Sequence, residues 1–143
     1  MIYLDASALV TLLSGRRPAA ELRAFLARTP GIPLATSTIG FVETVRTLDR
    51  VGSFPTLMAD LVRDVSEILV TEEVRDAAAQ LPSGCRTLDS IHVASAQVVG
   101  ENLLALVSYD RRMLEVAAGV GVPTAAPGLS GECEKSKGSP RCT

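Results

Sequence analysis

Short apolar segments alternate with longer amphipathic ones along nearly the whole chain, and this alternation constrains the fold more than any other feature. Residues 2–5 read as a strand, followed by a helix over 6–14 with Ala8, Leu9, Leu12 and Leu13 at helical spacing before Gly15 stops it. Pro18 opens a second helix through about Arg28, with Leu22, Phe25 and Leu26 on one side and Pro30 and Gly31 at its end. A strand over 32–36 precedes a helix over 38–51 that is expected to bury Val42, Val45 and Leu48. A helix over 55–66, showing Leu57, Leu61 and Val62, leads to a strand over 68–70. Thr71 then caps a helix whose first turn holds Glu72 and Glu73, where the helix dipole favours negative charge. After the break at Pro82, Ser83 and Gly84, residues 87–99 form a helix apolar nearly all round, with Ala94 and Ala96 allowing close packing, so it should be central and buried. A strand over 103–107, a helix capped by Asp110 and a last strand over 120–124 complete the pattern. Repeated strand-then-helix units indicate a parallel α/β sheet.

A chain of 143 residues, 47% of them hydrophobic, is long enough for one domain with a substantial core and too short for two. Aromatics are only 3% and Trp is absent, so Leu, Val, Ile and Ala must fill that core, and stacking platforms for nucleic-acid bases are not evident. No apolar run approaches the roughly 20 residues of a membrane span. The start, MIYLD, reads as a strand and not as a leader. The expectation is a cytoplasmic protein without a membrane partner. From Gly128 onward the sequence becomes small, polar and charged, so residues 1–127 are expected to be the domain and 128–143 a flexible tail. Three cysteines, two of them in that tail, do not make a disulfide framework. One histidine and widely spaced cysteines leave few candidates for a zinc cage.

Four acids stand where predicted strands give way to helices, each within apolar sequence: Asp5 in MIYLDASAL, Glu43 in STIGFVETV, Asp89 in RTLDSIHVASA and Asp110 in LVSYDRRML. Any one of them could simply cap a helix. A carboxylate among buried side chains, however, needs a compensating cation or donor, and four gathered together would need a metal. In an open parallel sheet, ligands bind beyond the carboxyl ends of the strands, where Asp5 and Asp110 fall, and Glu43 and Asp89 can lean over the same crevice. Clustered carboxylates without a basic partner favour hard divalent ions, Mg²⁺ or Mn²⁺. Such ions activate water for attack on a phosphodiester, so the chemistry expected is metal-assisted hydrolysis.

The formal charge of −2 argues against binding nucleic acid through a broad basic surface. Neutralising the four acids with metal would leave +2, with Arg16, Arg17, Arg46, Arg86, Arg111 and Arg112 in segments that can border the site. Arg46 either pairs with Glu43 at i, i+3 or reaches substrate phosphate. Arg111 and Arg112 either clamp a phosphate or lie in a solvated first turn, and Arg16 and Arg17 are similarly ambiguous. His92, three residues after Asp89, invites a general-base role, but a lone histidine inside a packed helix is more often a hydrogen-bonded structural residue. Cys85 is read as a small loop residue without chemistry.

These segments, in this order over about the first 125 residues, resemble a PIN-domain ribonuclease, and within that family the VapC-type toxins of prokaryotic toxin–antitoxin pairs. The resemblance implies a three-layer α/β/α fold around a mainly parallel sheet of four to five strands. It implies Asp5, Glu43, Asp89 and Asp110 as a quartet binding Mg²⁺ or Mn²⁺, with Ser7 and Ser108 as supporting polar positions. It further implies a homodimer, a cognate antitoxin and an RNA substrate, transfer RNA or ribosomal RNA. A nuclease of RNA maturation without a toxin role, or a non-catalytic scaffold binding RNA or protein, are the alternatives. A phosphoaspartyl enzyme on a similar sheet would want a lysine at the site, yet Lys135 and Lys137, both in the tail, are the only lysines.

Overall fold

The computed structural model describes residues 1–129. Five strands form one entirely parallel sheet: β1 (Ile2–Leu4), β2 (Leu34–Ser37), β3 (Val65–Ile68), β4 (Ala105–Val107) and β5 (Thr124–Ala125), in the spatial order β3-β2-β1-β4-β5. Parallel neighbours require crossovers, and helices supply them. α1 (Ala6–Ser14) and α2 (Ala19–Ala27) connect β1 to β2, and α3 (Thr38–Val51) and α4 (Leu57–Asp64) connect β2 to β3. α5 (Glu72–Ala79) and α6 (Thr87–Gln97) lead to β4, and α7 (Arg111–Gly119) leads to β5.

Strand alternation divides the core into two layers, since successive side chains point to opposite faces. Ile2, Leu4 and Val107 pack with Leu9, Leu22, Leu48 and Leu61 on one face, while Tyr3 and Leu106 pack with Val93, Ala96, Met113 and Ala117 on the other. Each fully buried leucine contributes about 1.5–3 kcal/mol by leaving water. The fold is therefore the three-layer α/β/α arrangement expected, with five parallel strands. α6 is buried over Asp89, Ser90 and His92 to Ala96, as its all-round apolar sequence predicts.

Three local expectations are corrected. The strand placed at 68–70 begins at Val65, and the helix placed at 55–66 spans Leu57–Asp64. The ladder from Leu34↔Val65 to Ser37↔Ile68 sets this register. β3 is an edge strand with exposed Ser66 and Glu67, so its sequence lacks the apolar signature, while exposed Leu69 and Val70 imitate one. Val42 is exposed at 48% instead of buried, because α3 turns Gly40, Thr44 and Leu48 inward, and on α4 Leu57 and Leu61 turn inward while Val62 is exposed. The Thr44 hydroxyl can face the interior because it donates to the Gly40 carbonyl at 2.7 Å.

Of the tail expected over 128–143, Leu129 still bonds to Ala126 through its backbone N–H at 3.0 Å, and residues 130–143 lie outside the described residues. Among the described residues no helix is long and apolar enough to cross a membrane.

Gly40 allows α3 to reach the sheet edge. A Cβ there would lie 2.2 Å from Thr36 Oγ1 and 3.0 Å from His92 Cε1. Gly40→Ala should therefore destabilise the protein by about 1–3 kcal/mol, as overpacking does, despite a helix-propensity gain of about 1 kcal/mol. Adding Thr36→Ala should recover part of that loss in urea unfolding. Unchanged stability of Gly40→Ala would mean that α3 does not press on Thr36.

Candidate active site

The chain winds one way from β1 to β2 and returns to lay β4 on the other side of β1, so the sheet reverses its direction between β1 and β4. Open parallel sheets form a crevice at such a point, beyond the strand ends. Asp5 follows β1 there, 2% exposed, and caps α1. Its Oδ1 accepts from Ser7 Oγ at 2.7 Å and from the Ala8 N–H at 2.8 Å, and its Oδ2 accepts from Ser108 Oγ at 2.7 Å. Ser7 Oγ in turn accepts the Tyr109 N–H at 2.9 Å, and Ser108 Oγ accepts the Asp110 N–H at 3.0 Å. Both serines thus stitch the β1 end to the β4 end through one carboxylate. Burial nevertheless pushes the Asp5 carboxyl above its usual range, against the opposing pull of these hydrogen bonds.

Asp110 caps α7, its Oδ1 accepting from the Arg112 and Met113 N–H groups at 2.9 and 3.2 Å. Asp89 lies in the first turn of α6, only 9% exposed, and its Oδ2 is buried without a hydrogen-bond partner. Burial first, then the Asp110 carboxylate, raise the Asp89 carboxyl, with Glu43 adding to the effect and Arg86 and His92 opposing it. Burial first, then Asp89 and Asp110, also push the Cys85 thiol up, which disfavours its thiolate.

Glu43 is held by a hydrogen-bonded line from the sheet. The Ser37 N–H donates to the Tyr3 hydroxyl at 3.2 Å, Tyr3 Oη is 2.7 Å from His92 Nδ1, and His92 Nε2 is 2.9 Å from Glu43 Oε2. Burial holds the Tyr3 phenol well above its ordinary pKa, so it keeps its proton. The two ring nitrogens of His92 are both occupied, Nδ1 by the Tyr3 hydroxyl and Nε2 by the Glu43 carboxylate. His92 is thus the buried, hydrogen-bonded residue favoured from sequence, and it also orients one of the four acids. Tyr3 was missed as a site residue. Its phenol in a strand otherwise filled by aliphatic residues was the available signal, since a buried Tyr hydroxyl needs a partner.

Arg111 and Arg112 are the first residues of α7, exposed and without an acidic partner among the described residues. Arg46 does not pair with Glu43; both line a cavity of about 500 Å³ between α1 and α3.

The PIN domain family model matches residues 2–119. The chain belongs to the PIN-domain family. It is 41% identical over 133 residues to a protein of Mycobacterium tuberculosis named ribonuclease VapC47, covering 90% of this chain and 98% of that one. Its fold is similar to that of VapC20 of M. tuberculosis, described as a sarcin-ricin loop cleaving toxin, with a TM-score of 0.66 at 18% identity over 89% of this chain and 100% of that one. It is similar also to a chain of FitAB bound to the IR36 DNA fragment, with a TM-score of 0.65 at 15% identity over 90% of this chain and 96% of that one.

The residues of this PIN domain suit a divalent cation. The donors are all carboxylate oxygens, none of the four acids is paired to an arginine among the described residues, and the buried Asp89 Oδ2 lacks any partner. The four side chains are not a finished cage: among the described residues, no three His, Cys, Asp or Glu side chains stand close enough together to enclose an ion.

Because the folded carboxyls of Asp5 and Asp89 titrate above the ordinary value of 3.8, the native protein holds more protons than the unfolded chain between the two pKa values. Their contribution to stability is full below the unfolded value and is lost as pH rises through the raised folded one. In chelator, Asp89→Asn should raise Tm at pH 7–8 by roughly 2–4 °C and flatten that loss, and Mn²⁺ should reverse the ranking. A lower Tm for Asp89→Asn in chelator at neutral pH would contradict the crowding of carboxylates. Separately, Tyr3→Phe should cost about 1–3 kcal/mol in urea unfolding, because it strands the Ser37 N–H and His92 Nδ1.

Proposed function

We propose that this PIN domain is a Mg²⁺- or Mn²⁺-dependent endoribonuclease that hydrolyses RNA phosphodiester bonds. The reading rests on one observation above all: Asp5 and Asp110 follow the two strands at the switch point, and the buried Asp5 and Asp89 carboxylates form no ion pair with an arginine among the described residues. Asp5, Glu43, Asp89 and Asp110 would hold the metal. A bound divalent ion supplies Lewis acidity, which activates water and offsets charge on the phosphodiester. Ser7 and Ser108 fix the Asp5 carboxylate in one orientation, and the His92 imidazole does the same for Glu43. Arg46, Arg111 and Arg112, which have no acidic partner among the described residues, would take substrate phosphate oxygens.

The family supports a toxin role. The 41% identical relative is named a ribonuclease of the VapC series, and a structure similar in fold is described as a sarcin-ricin loop cleaving toxin. In this reading the chain acts in the cytoplasm as the toxin of a type II toxin–antitoxin pair. It inhibits translation by cutting tRNA or rRNA, is restrained by a cognate antitoxin and functions as a homodimer. A small DNA-binding protein encoded immediately upstream would favour this role over RNA maturation.

Purified protein, free of antitoxin, should cleave a tRNA and rRNA pool with Mg²⁺ or Mn²⁺ and lose cleavage on chelation. Asp5→Asn and Asp89→Asn should each lower the cleavage rate by at least about a hundredfold, the scale expected when transition-state charge loses its counterpart. Chelator-insensitive cleavage, or full activity in both variants, would overturn the metal mechanism.

A further inference from the structure

Glu43, Arg46, Thr47 and Arg50 recur on α3 at i, i+3, i+4 and i+7, so they form one stripe along the helix. All four line the cavity of about 500 Å³, which α1 bounds opposite with Ser7 and to which the α1–α2 connection adds Arg16. The acidic crevice therefore opens at Glu43 into a groove of opposite charge. The Arg16, Arg46 and Arg50 guanidiniums have no acidic partner among the described residues, whereas Arg63 is paired with Asp60 and Asp64, and Arg75 with Asp76. Three guanidiniums thus share one groove whose single acid, Glu43, lies at its crevice end, so the rest of the groove attracts an anion.

From Glu43 to Arg50 the helix rises about 10 Å, at 1.5 Å per residue. A stacked strand advances roughly 3.4 Å per nucleotide, so that length matches about three phosphates in a row. Guanidiniums recognise phosphate in bidentate fashion.

We propose that the groove between α1 and α3 is a track for consecutive phosphates of a single RNA strand, which leaves the carboxylate crevice at Glu43 and runs toward the C-terminal end of α3. RNA as the polyanion rests on the ribonuclease reading above; the track itself rests on the arginine stripe. Its physical role is to offset the repulsion between a polyanion and four carboxylates. The first arginine stands about one turn beyond Glu43, so a flanking phosphate is gripped there while the scissile one is presented to the acids.

The test is a fluorescence-anisotropy titration of a labelled single-stranded RNA oligonucleotide against the full chain in chelator, which leaves the RNA uncut, at several salt concentrations. Arg46→Ala with Arg50→Ala should weaken binding roughly tenfold or more at low salt and reduce the slope of log affinity against log salt by about 1–1.5, as expected for two lost contacts at roughly 0.7 each. Arg46→Lys with Arg50→Lys should restore the slope but not the whole affinity. Arg63→Ala, away from the groove, should bind like the parent. All these arginines are exposed, so unchanged melting temperatures will show intact folding.

Parent-like binding by the double alanine variant, lost affinity with an unchanged salt slope, or no binding of the oligonucleotide by the parent would each overturn the track. So would tighter arginine-dependent binding of an acidic peptide than of RNA, which would assign the groove to a protein partner. Arginine-dependent RNA binding by a parent that never cleaves RNA with Mn²⁺ would uphold the track and sink the nuclease. Cleavage by a parent whose double variant binds like it would do the reverse.

Discussion

Everything at the strand ends depends on how one buried carboxylate is satisfied. Asp5 is 2% exposed and takes its hydrogen bonds from two serines and a backbone amide, all neutral. Those donors keep the side chain in place without cancelling its charge. The same serines accept the Tyr109 and Asp110 amides, so the β4–α7 connection is shaped around the Asp5 side chain. Tyr109 extends the tie by donating from its hydroxyl to the Pro127 carbonyl. An arginine in place of these donors would have closed an ion pair and removed any reason for a cation to bind. Neutral satisfaction leaves the negative charge available.

On the opposite side of the crevice, the Ser37–Tyr3–His92–Glu43 line gives Glu43 a fixed orientation although it sits on a helix that only touches the sheet edge. The line works only if α3, α6 and β2 approach closely, and Gly40 permits that approach. Packing and chemistry are thus the same contact here: the residue that lets the helix in also sets the distance from His92 to Glu43. Asp89 completes the contrast, since it has neither cation nor donor on Oδ2.

Charges of the two signs are separated in space. In this PIN domain Asp5 and Asp110 stand at the switch point, while α3 carries Arg46 and Arg50 along one stripe with Glu43. Net charge averages over these regions and says little about either.

Alternation of apolar and amphipathic segments was enough to establish a parallel α/β sheet, and the local setting of Asp5, Glu43, Asp89 and Asp110 was enough to single them out, because burial periodicity and strand-to-helix boundaries are local properties. Edge strand β3 was misplaced because its register comes from pairing with β2 and not from its own side chains. Val42 was assigned to the core because helical spacing identifies an apolar stripe but not which stripe the sheet will cover. Only the tertiary structure decided that β4 lies beside β1, which brings Ser108 to Asp5 across 103 positions of sequence, and that His92 bridges Tyr3 to Glu43. Hydrogen bonds of that kind depend on distances between elements remote in the chain, and no local pattern encodes them.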